Sequence, residues 1–236
     1  AAVDGTPPFA YQWAFNGTPI PGETAATLAL DAVTPADGGS YTLIASNPVG
    51  QTTSAPGVLT VRIPPAGSYE EGVVTSGPIG YWRMEEPTGS PTAFDFVSGY
   101  DGTHVGGAFA GLAGPRPGDF DGMPAANNAV NYNGTDSGTT TGKSLMSNLS
   151  QFTMMGFINP TTLPNARVGF MGQNDVTEFG LHGADFAIWT PGGGYFAVSP
   201  TNLLLNTWNH IAATGDGTAL RFYVNGVEIL PSQPGV

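Results

Sequence analysis

The sequence contains no cysteine, so no disulfide can cross-link the fold and no thiolate can act as a nucleophile or metal ligand. It has only 6 lysine and arginine residues against 18 aspartate and glutamate residues, a net charge of -12. Binding to phosphate backbones needs clustered basic residues, so nucleic acid is excluded as a partner and anionic membranes are disfavoured. No apolar run reaches the roughly 18 residues of a membrane-spanning helix, so no direct membrane insertion is expected.

Glycine and proline are abundant, with 35 and 21 residues, whereas only 10% of the residues are charged. This composition favours short strands joined by tight turns over helices. Hydrophobic residues make up 40% of the chain, which is enough for a packed core. A chain of 236 residues can hold two modest domains, so we predict a two-domain, all-β protein.

Alternating apolar and polar residues predict strands over 9–15, 27–30, 40–46 and 57–61, with a hairpin turn at Asn16-Gly17. Five motifs stand in a characteristic order along this segment. They are Tyr11-Gln12-Trp13, Asn16-Gly17, Thr27-Leu28-Ala29-Leu30, Asp37-Gly38-Gly39-Ser40-Tyr41 and Ser46-Asn47-Pro48-Val49-Gly50. Their order and spacing resemble those of an immunoglobulin-like β-sandwich of the bacterial tandem type.

The resemblance implies that Trp13 is the core tryptophan and that the Tyr41 hydroxyl bonds back to the backbone at a strand corner. Family cysteine positions fall on Ala1 and Leu43, so packing would replace the disulfide. It also implies a domain over residues 1–62 that lacks its first strand. We expect a fragment of a longer chain, in which earlier residues or a neighbouring subunit's strand complete the sheet.

Residues 63–67 include two adjacent prolines and predict a short, semi-rigid linker. Beyond it, we expect a helical turn over 69–74 and a strand over 79–84. Glycine-rich turn signals then separate further predicted strands. These lie over 152–158, 167–172, 185–190, 195–199, 208–214 and 220–224.

Three blocks in this second segment carry a family resemblance. They are Gly80-Tyr81-Trp82-Arg83-Met84-Glu85-Glu86, residues 152–160 and residues 208–226. Together they resemble the laminin-G-like, concanavalin A-like jelly roll of large bacterial surface proteins. The resemblance implies a jelly-roll sandwich over 68–236 that lacks its closing strands.

Laminin-G-like folds often hold a structural calcium ion at a loop rim, and the carboxylate-rich composition suits this hard cation. Asp95 and Asp101, which flank Ser98-Gly99, are the best candidate metal ligands, ahead of Asp119 and Asp121. The alternative is that these aspartates simply form turns by bonding nearby backbone amides.

A carbohydrate site needs exposed aromatic side chains that stack on sugar rings. Trp189 and Tyr195 flank the turn over 191–194 and are the candidate ligand-binding residues, with burial in the core as the alternative.

Glycoside hydrolysis would need two carboxylates facing each other across the sugar. Glu85 and Glu86 are adjacent and point to opposite faces, while Asp175 and Glu178 are three residues apart beside turn residues. The three histidines, at positions 104, 182 and 210, show no metal-binding spacing. We therefore expect no enzymatic activity.

Together these features predict a structural or adhesive module of a large secreted or cell-surface bacterial protein. Its expected partners are glycans, matrix or surface proteins, or further copies of itself in a fibre or surface layer. The alternative is a carbohydrate-binding appendage of a secreted glycoside hydrolase.

Overall fold

The architecture is seen in a computed structural model, of which residues 4–173, 176–191, 194–199 and 202–234 are described. The chain divides into two compact units, Ala1–Pro65 and Ala66–Val236. Strands dominate both units, and every described strand pairing is antiparallel, which confirms the predicted all-β class. Within the described ranges, no helix has the length and apolarity needed to cross a membrane.

The first unit contains one antiparallel sheet of five strands and a single turn of 3₁₀ helix over Pro35–Asp37. The strands are β1 (Ala10–Phe15), β2 (Thr18–Pro19), β3 (Gly39–Asn47), β4 (Gly50–Thr53) and β5 (Gly57–Leu59). Their order is β2-β1-β3-β4, and β5 also pairs with β3. Residues 4–65 contain no second sheet, so the immunoglobulin-like assignment stays a prediction.

Two of the local features expected in this unit are present, the turn at Asn16-Gly17 and the hydrogen bond of Tyr41. The hairpin turn at Asn16-Gly17 joins β1 to β2, and both residues have positive φ, 47° and 82°. The Tyr41 hydroxyl donates a hydrogen bond of 2.8 Å to the carbonyl of Asp37. Trp13, which the resemblance placed in the core, is only half-buried, and its indole donates a hydrogen bond to the carbonyl of Ala25 at 3.0 Å.

The predicted strand over residues 27–30 is wrong. No strand forms there, and the side chain of Leu30 is exposed. An alternating pattern makes a strand only where a neighbour completes the hydrogen-bond ladder, and the described residues offer this segment no such neighbour.

The second unit begins with the helix α1 (Tyr69–Thr75), whose first turn is capped because the Ser68 hydroxyl accepts a hydrogen bond from the Glu71 amide. Thirteen strands follow within the described ranges. They are β6 (Thr92–Ala93), β7 (Gly102–Val105), β8 (Phe109–Ala113), β9 (Asn128–Asn131), β10 (Gly138–Thr140), β11 (Phe152–Ile158), β12 (Arg167–Gln173), β13 (Thr177–His182), β14 (Asp185–Thr190), β15 (Gly194–Val198), β16 (Asn209–Gly215), β17 (Ala219–Val224) and β18 (Val227–Pro234).

Two four-stranded sheets form a sandwich, one in the order β11-β16-β17-β18 and the other in the order β12-β13-β14-β15. Their inward side chains share one apolar core, in which the ring of Phe179 from one sheet lies 5.9 Å from that of Phe222 from the other. Smaller sheets, β10-β7-β6 and β8-β9, account for the remaining strands.

The six strands predicted over residues 152–224 are all present, with ends that agree to within one residue. The strand predicted over 79–84 is wrong, since only Trp82 forms an isolated bridge, to Asp95. Met84 has a positive φ of 57°, which is incompatible with extended backbone and ends the segment.

Helix α1 packs through an aromatic cluster on the outer face of the sheet formed by β11, β16, β17 and β18. The ring of Tyr69 lies 5.0 Å from that of Phe157 and 6.1 Å from that of His210, and Phe120 also contacts Phe157. Burial lowers the pKa of His210, whose Nε2 lies 3.4 Å from the Tyr69 hydroxyl. This cluster therefore contains a histidine that is more stable uncharged.

We expect the free energy of unfolding to decrease as the pH falls through about 6.5, the ordinary histidine pKa. The unfolded chain binds the His210 proton more tightly than the folded chain does, so this contribution to stability is present above that pH and lost below it. Urea denaturation across this range would measure the effect. His210→Gln should reduce the pH dependence, whereas His182→Gln, at an exposed position, serves as the control. An unchanged pH dependence in His210→Gln would contradict the assignment.

Candidate ligand-binding face

The outer face of the sheet formed by β12, β13, β14 and β15 carries the candidate site. Side chains alternate between the two faces of a strand, and the core takes Phe179, Leu181, Phe186, Ile188 and Val198. The neighbouring positions must therefore point outward. They are Arg167, Gly169, Glu178, Gly180, His182, Asp185, Ala187, Trp189, Tyr195 and Ala197.

Strand register arranges these outward residues in three rows across the sheet. Glu178, Trp189 and Tyr195 form the aromatic row. Gly169, Gly180, Ala187 and Ala197 form the small-residue row beside it. Arg167, His182 and Asp185 form the third, polar row. A shallow floor of small residues thus separates two rows of long side chains.

Two side-chain pairs cross the small-residue row diagonally. Arg167 forms an ion pair with Glu178. The Nδ1 atom of His182 lies 2.6 Å from the Tyr195 hydroxyl, and the two rings meet edge to face at 83°. Ala187 sits beneath the second pair in the register and is only 5% exposed, although it points away from the core. The crossing side chains therefore cover part of the floor.

Trp189 and Tyr195 are directly opposite each other on β14 and β15. The Tyr195 side chain is 44% exposed and that of Trp189 is half-buried, and neither belongs to the apolar core cluster. Burial and the nearby carboxylate of Asp185 raise the pKa of Tyr195, so its hydroxyl stays protonated at neutral pH. The pair offers a surface with both an aromatic area and a hydroxyl group.

Sequence reasoning found Trp189 and Tyr195 but missed the residues that accompany them. Arg167, Glu178 and His182 join the aromatic pair only through the register of β12 and β13. The run Thr-Glu-Phe-Gly-Leu-His over 177–182 does alternate in polarity, and this signal could have predicted β13.

The structure brings the two predicted calcium ligands together, since the Asp95 amide donates to Asp101 Oδ1 at 2.9 Å. The carboxylate of Asp95 is buried, and both of its oxygens accept backbone hydrogen bonds. The donors are the amides of Tyr81, Val97, Ser98 and Tyr100, at 2.7 to 3.2 Å. This arrangement matches the turn-forming alternative, and calcium binding stays a prediction.

Other candidate carboxylates are engaged in local contacts. Asp119 accepts the amide hydrogen bond of Arg116, and Asp121 is exposed. Glu85 pairs with Arg83, whereas buried Glu86 accepts from the Phe94 amide at 2.8 Å. Asp175 lies outside the described residues.

Histidines at 104, 182 and 210 are spread over β7, β13 and β16. In the part of the chain that the structure describes, no three histidine, aspartate or glutamate side chains are grouped closely enough to hold a metal ion.

A family model for the concanavalin A-like lectin/glucanases superfamily matches residues 133–233, which is less than half of the chain. The matched segment covers the strands of both four-stranded sheets, except the last residue of β18, and all the residues of the candidate face. It supports the jelly-roll prediction for this part of the second unit. No curated protein and no solved structure matches the chain.

We expect Asp95→Ala to destabilise the second unit by on the order of 3 kcal/mol, because partly buried amides lose their acceptor. Thermal unfolding should be followed both with calcium and with a chelator. Asp31→Ala, which removes an exposed carboxylate that is not a candidate metal ligand, is the control. An equal loss in both solutions is expected from the backbone contacts. A loss seen only with calcium would instead support metal binding by Asp95 and Asp101.

Proposed function

We propose that this chain is a non-catalytic binding module of a secreted or cell-surface protein. The outer face of β12–β15 contacts glycans, and the first unit acts as an immunoglobulin-like spacer. The superfamily match supports a binding role for the second unit at the level of the fold.

The observation that carries this proposal is the cross-strand pair of Trp189 and Tyr195 beside the small-residue row. Aromatic rings present flat apolar surfaces, onto which the C–H faces of a sugar ring can pack. Neighbouring strands are about 4.8 Å apart, so two adjacent aromatic side chains match about one sugar unit. The Tyr195 side chain, which reaches across the small-residue row to His182, is 44% exposed and so is accessible to such a ligand.

The charges of this face favour an uncharged ligand. The positive charge of Arg167 on this face is neutralised by the carboxylate of Glu178. The sequence carries a net charge of -12, which repels polyanions at long range. We therefore expect neutral polysaccharides to bind in preference to acidic ones.

The same contacts argue against catalysis. Glycoside hydrolysis uses one carboxylate as an acid and another as a base or nucleophile. Glu178 is held by Arg167, Glu85 is held by Arg83, and Glu86 is buried against a backbone amide. These groups are committed to structural contacts.

Both an adhesive surface protein and a carbohydrate-binding appendage of a secreted hydrolase could use this face. We favour the adhesive module, since the first unit offers an open sheet whose edge strands could pair with another chain.

We expect Trp189→Ala and Tyr195→Ala each to weaken binding to neutral polysaccharides by about tenfold, the factor that corresponds to about 1.4 kcal/mol of lost stacking. Affinity electrophoresis of the whole chain in gels containing β-glucan, xylan, mannan or galactan measures this. Phe94→Ala is the matched control, because Phe94 is half exposed but lies outside the face.

The proposal fails if none of these polysaccharides retards the wild-type chain. It also fails if retardation occurs but both aromatic variants bind as the wild type does. Thermal unfolding of each variant separates lost contacts from lost folding.

A further inference from the structure

His182 controls the environment of the Tyr195 hydroxyl. The two residues stand on β13 and β15, and their hydrogen bond of 2.6 Å passes over Ala187 on the strand between them. Among the described contacts of the Tyr195 hydroxyl, this hydrogen bond is the one that holds the ring across the small-residue row. His182 therefore positions one of the two aromatic side chains of the face.

The direction of this hydrogen bond depends on the protonation of His182. In a neutral imidazole with its proton on Nε2, Nδ1 is an acceptor, so the Tyr195 hydroxyl must donate its only hydrogen to it. An imidazolium donates from both nitrogens, so the hydroxyl oxygen must then accept. The hydroxyl hydrogen is released and can point towards a ligand.

We propose that His182 makes glycan binding on this face stronger in mildly acidic solution, by reversing its hydrogen bond with Tyr195 and freeing the hydroxyl hydrogen for a sugar oxygen. This inference rests on the proposed function. The ligand atoms that it requires are hydroxyl, ring or glycosidic oxygens, which every neutral sugar chain carries.

Charged side chains on the two neighbouring strands face His182. Asp185 and Arg167 are its cross-strand neighbours on β14 and β12, and Arg167 is paired with Glu178. Asp185 accepts a hydrogen bond of 2.5 Å from the Ser199 hydroxyl. Between about pH 5.5 and 8, carboxylates, arginine and tyrosine ordinarily keep their charge states while histidine changes its own. Tyr195 keeps its proton, since burial and Asp185 raise its pKa.

Isothermal titration calorimetry of the whole chain tests the inference with three neutral probes: cellohexaose, xylohexaose and mannohexaose. For the wild type we expect Kd to fall by about twofold to tenfold between about pH 8 and 5.5, as one hydrogen bond of about 0.5–1.5 kcal/mol is gained.

Two variants serve as controls. His182→Gln can still donate and accept a hydrogen bond but does not titrate, so it should bind with a flat pH profile. Tyr195→Phe retains the ring without the hydroxyl, so its profile should also be flat.

A flat wild-type profile, or a pH dependence that persists in His182→Gln, overturns the inference and leaves the proposed function standing. If no probe binds at any pH, the proposed function fails and the inference fails with it.

Nitrogen-15 NMR of the His182 imidazole adds a test that needs no sugar. We expect Nδ1 to be an unprotonated acceptor at high pH and a protonated donor at low pH. A neutral imidazole that already carries its proton on Nδ1 would overturn the inference, since no reversal could then occur.

Discussion

Burial of one side of each strand in the sandwich core determines what the second unit presents to solvent. Phe179 and Leu181 on β13, and Phe186 and Ile188 on β14, are buried between the two sheets. Side chains on a strand alternate between its two faces. A shift of the strand pairing by one residue would therefore expose these four side chains and bury the charged and aromatic residues of the candidate face. The candidate face is therefore a direct consequence of core packing.

Most of the second unit could be predicted because its strands are separated by strong turn signals. Glycine, asparagine and aspartate mark the turns, and six predicted strands were placed to within a residue. The proximity of Trp189 and Tyr195 was predictable for the same reason, since a short turn between two strands places the flanking residues opposite each other. Local sequence was sufficient for these features.

Other features depend on partners distant in the chain, and local pattern could not supply them. The segment 27–30 has strand-like alternation but no neighbouring strand in the described residues. The acceptor role of Asp95 was not predictable, because sequence does not show that folding brings the Tyr81 amide to its carboxylate. The contact of His182 with Tyr195 depends on the register of three strands, and no spacing in the sequence reports it.

Helix α1 and the candidate face lie on opposite sides of the second unit. The second unit begins with α1, whose Tyr69 packs against Phe157 and His210 on the outer face of the sheet formed by β11, β16, β17 and β18. The Trp189–Tyr195 pair lies on the outer face of the opposite sheet of the same sandwich. The start of the second unit is thus fixed to one sheet of the sandwich, and the whole apolar core separates it from the aromatic pair on the other sheet.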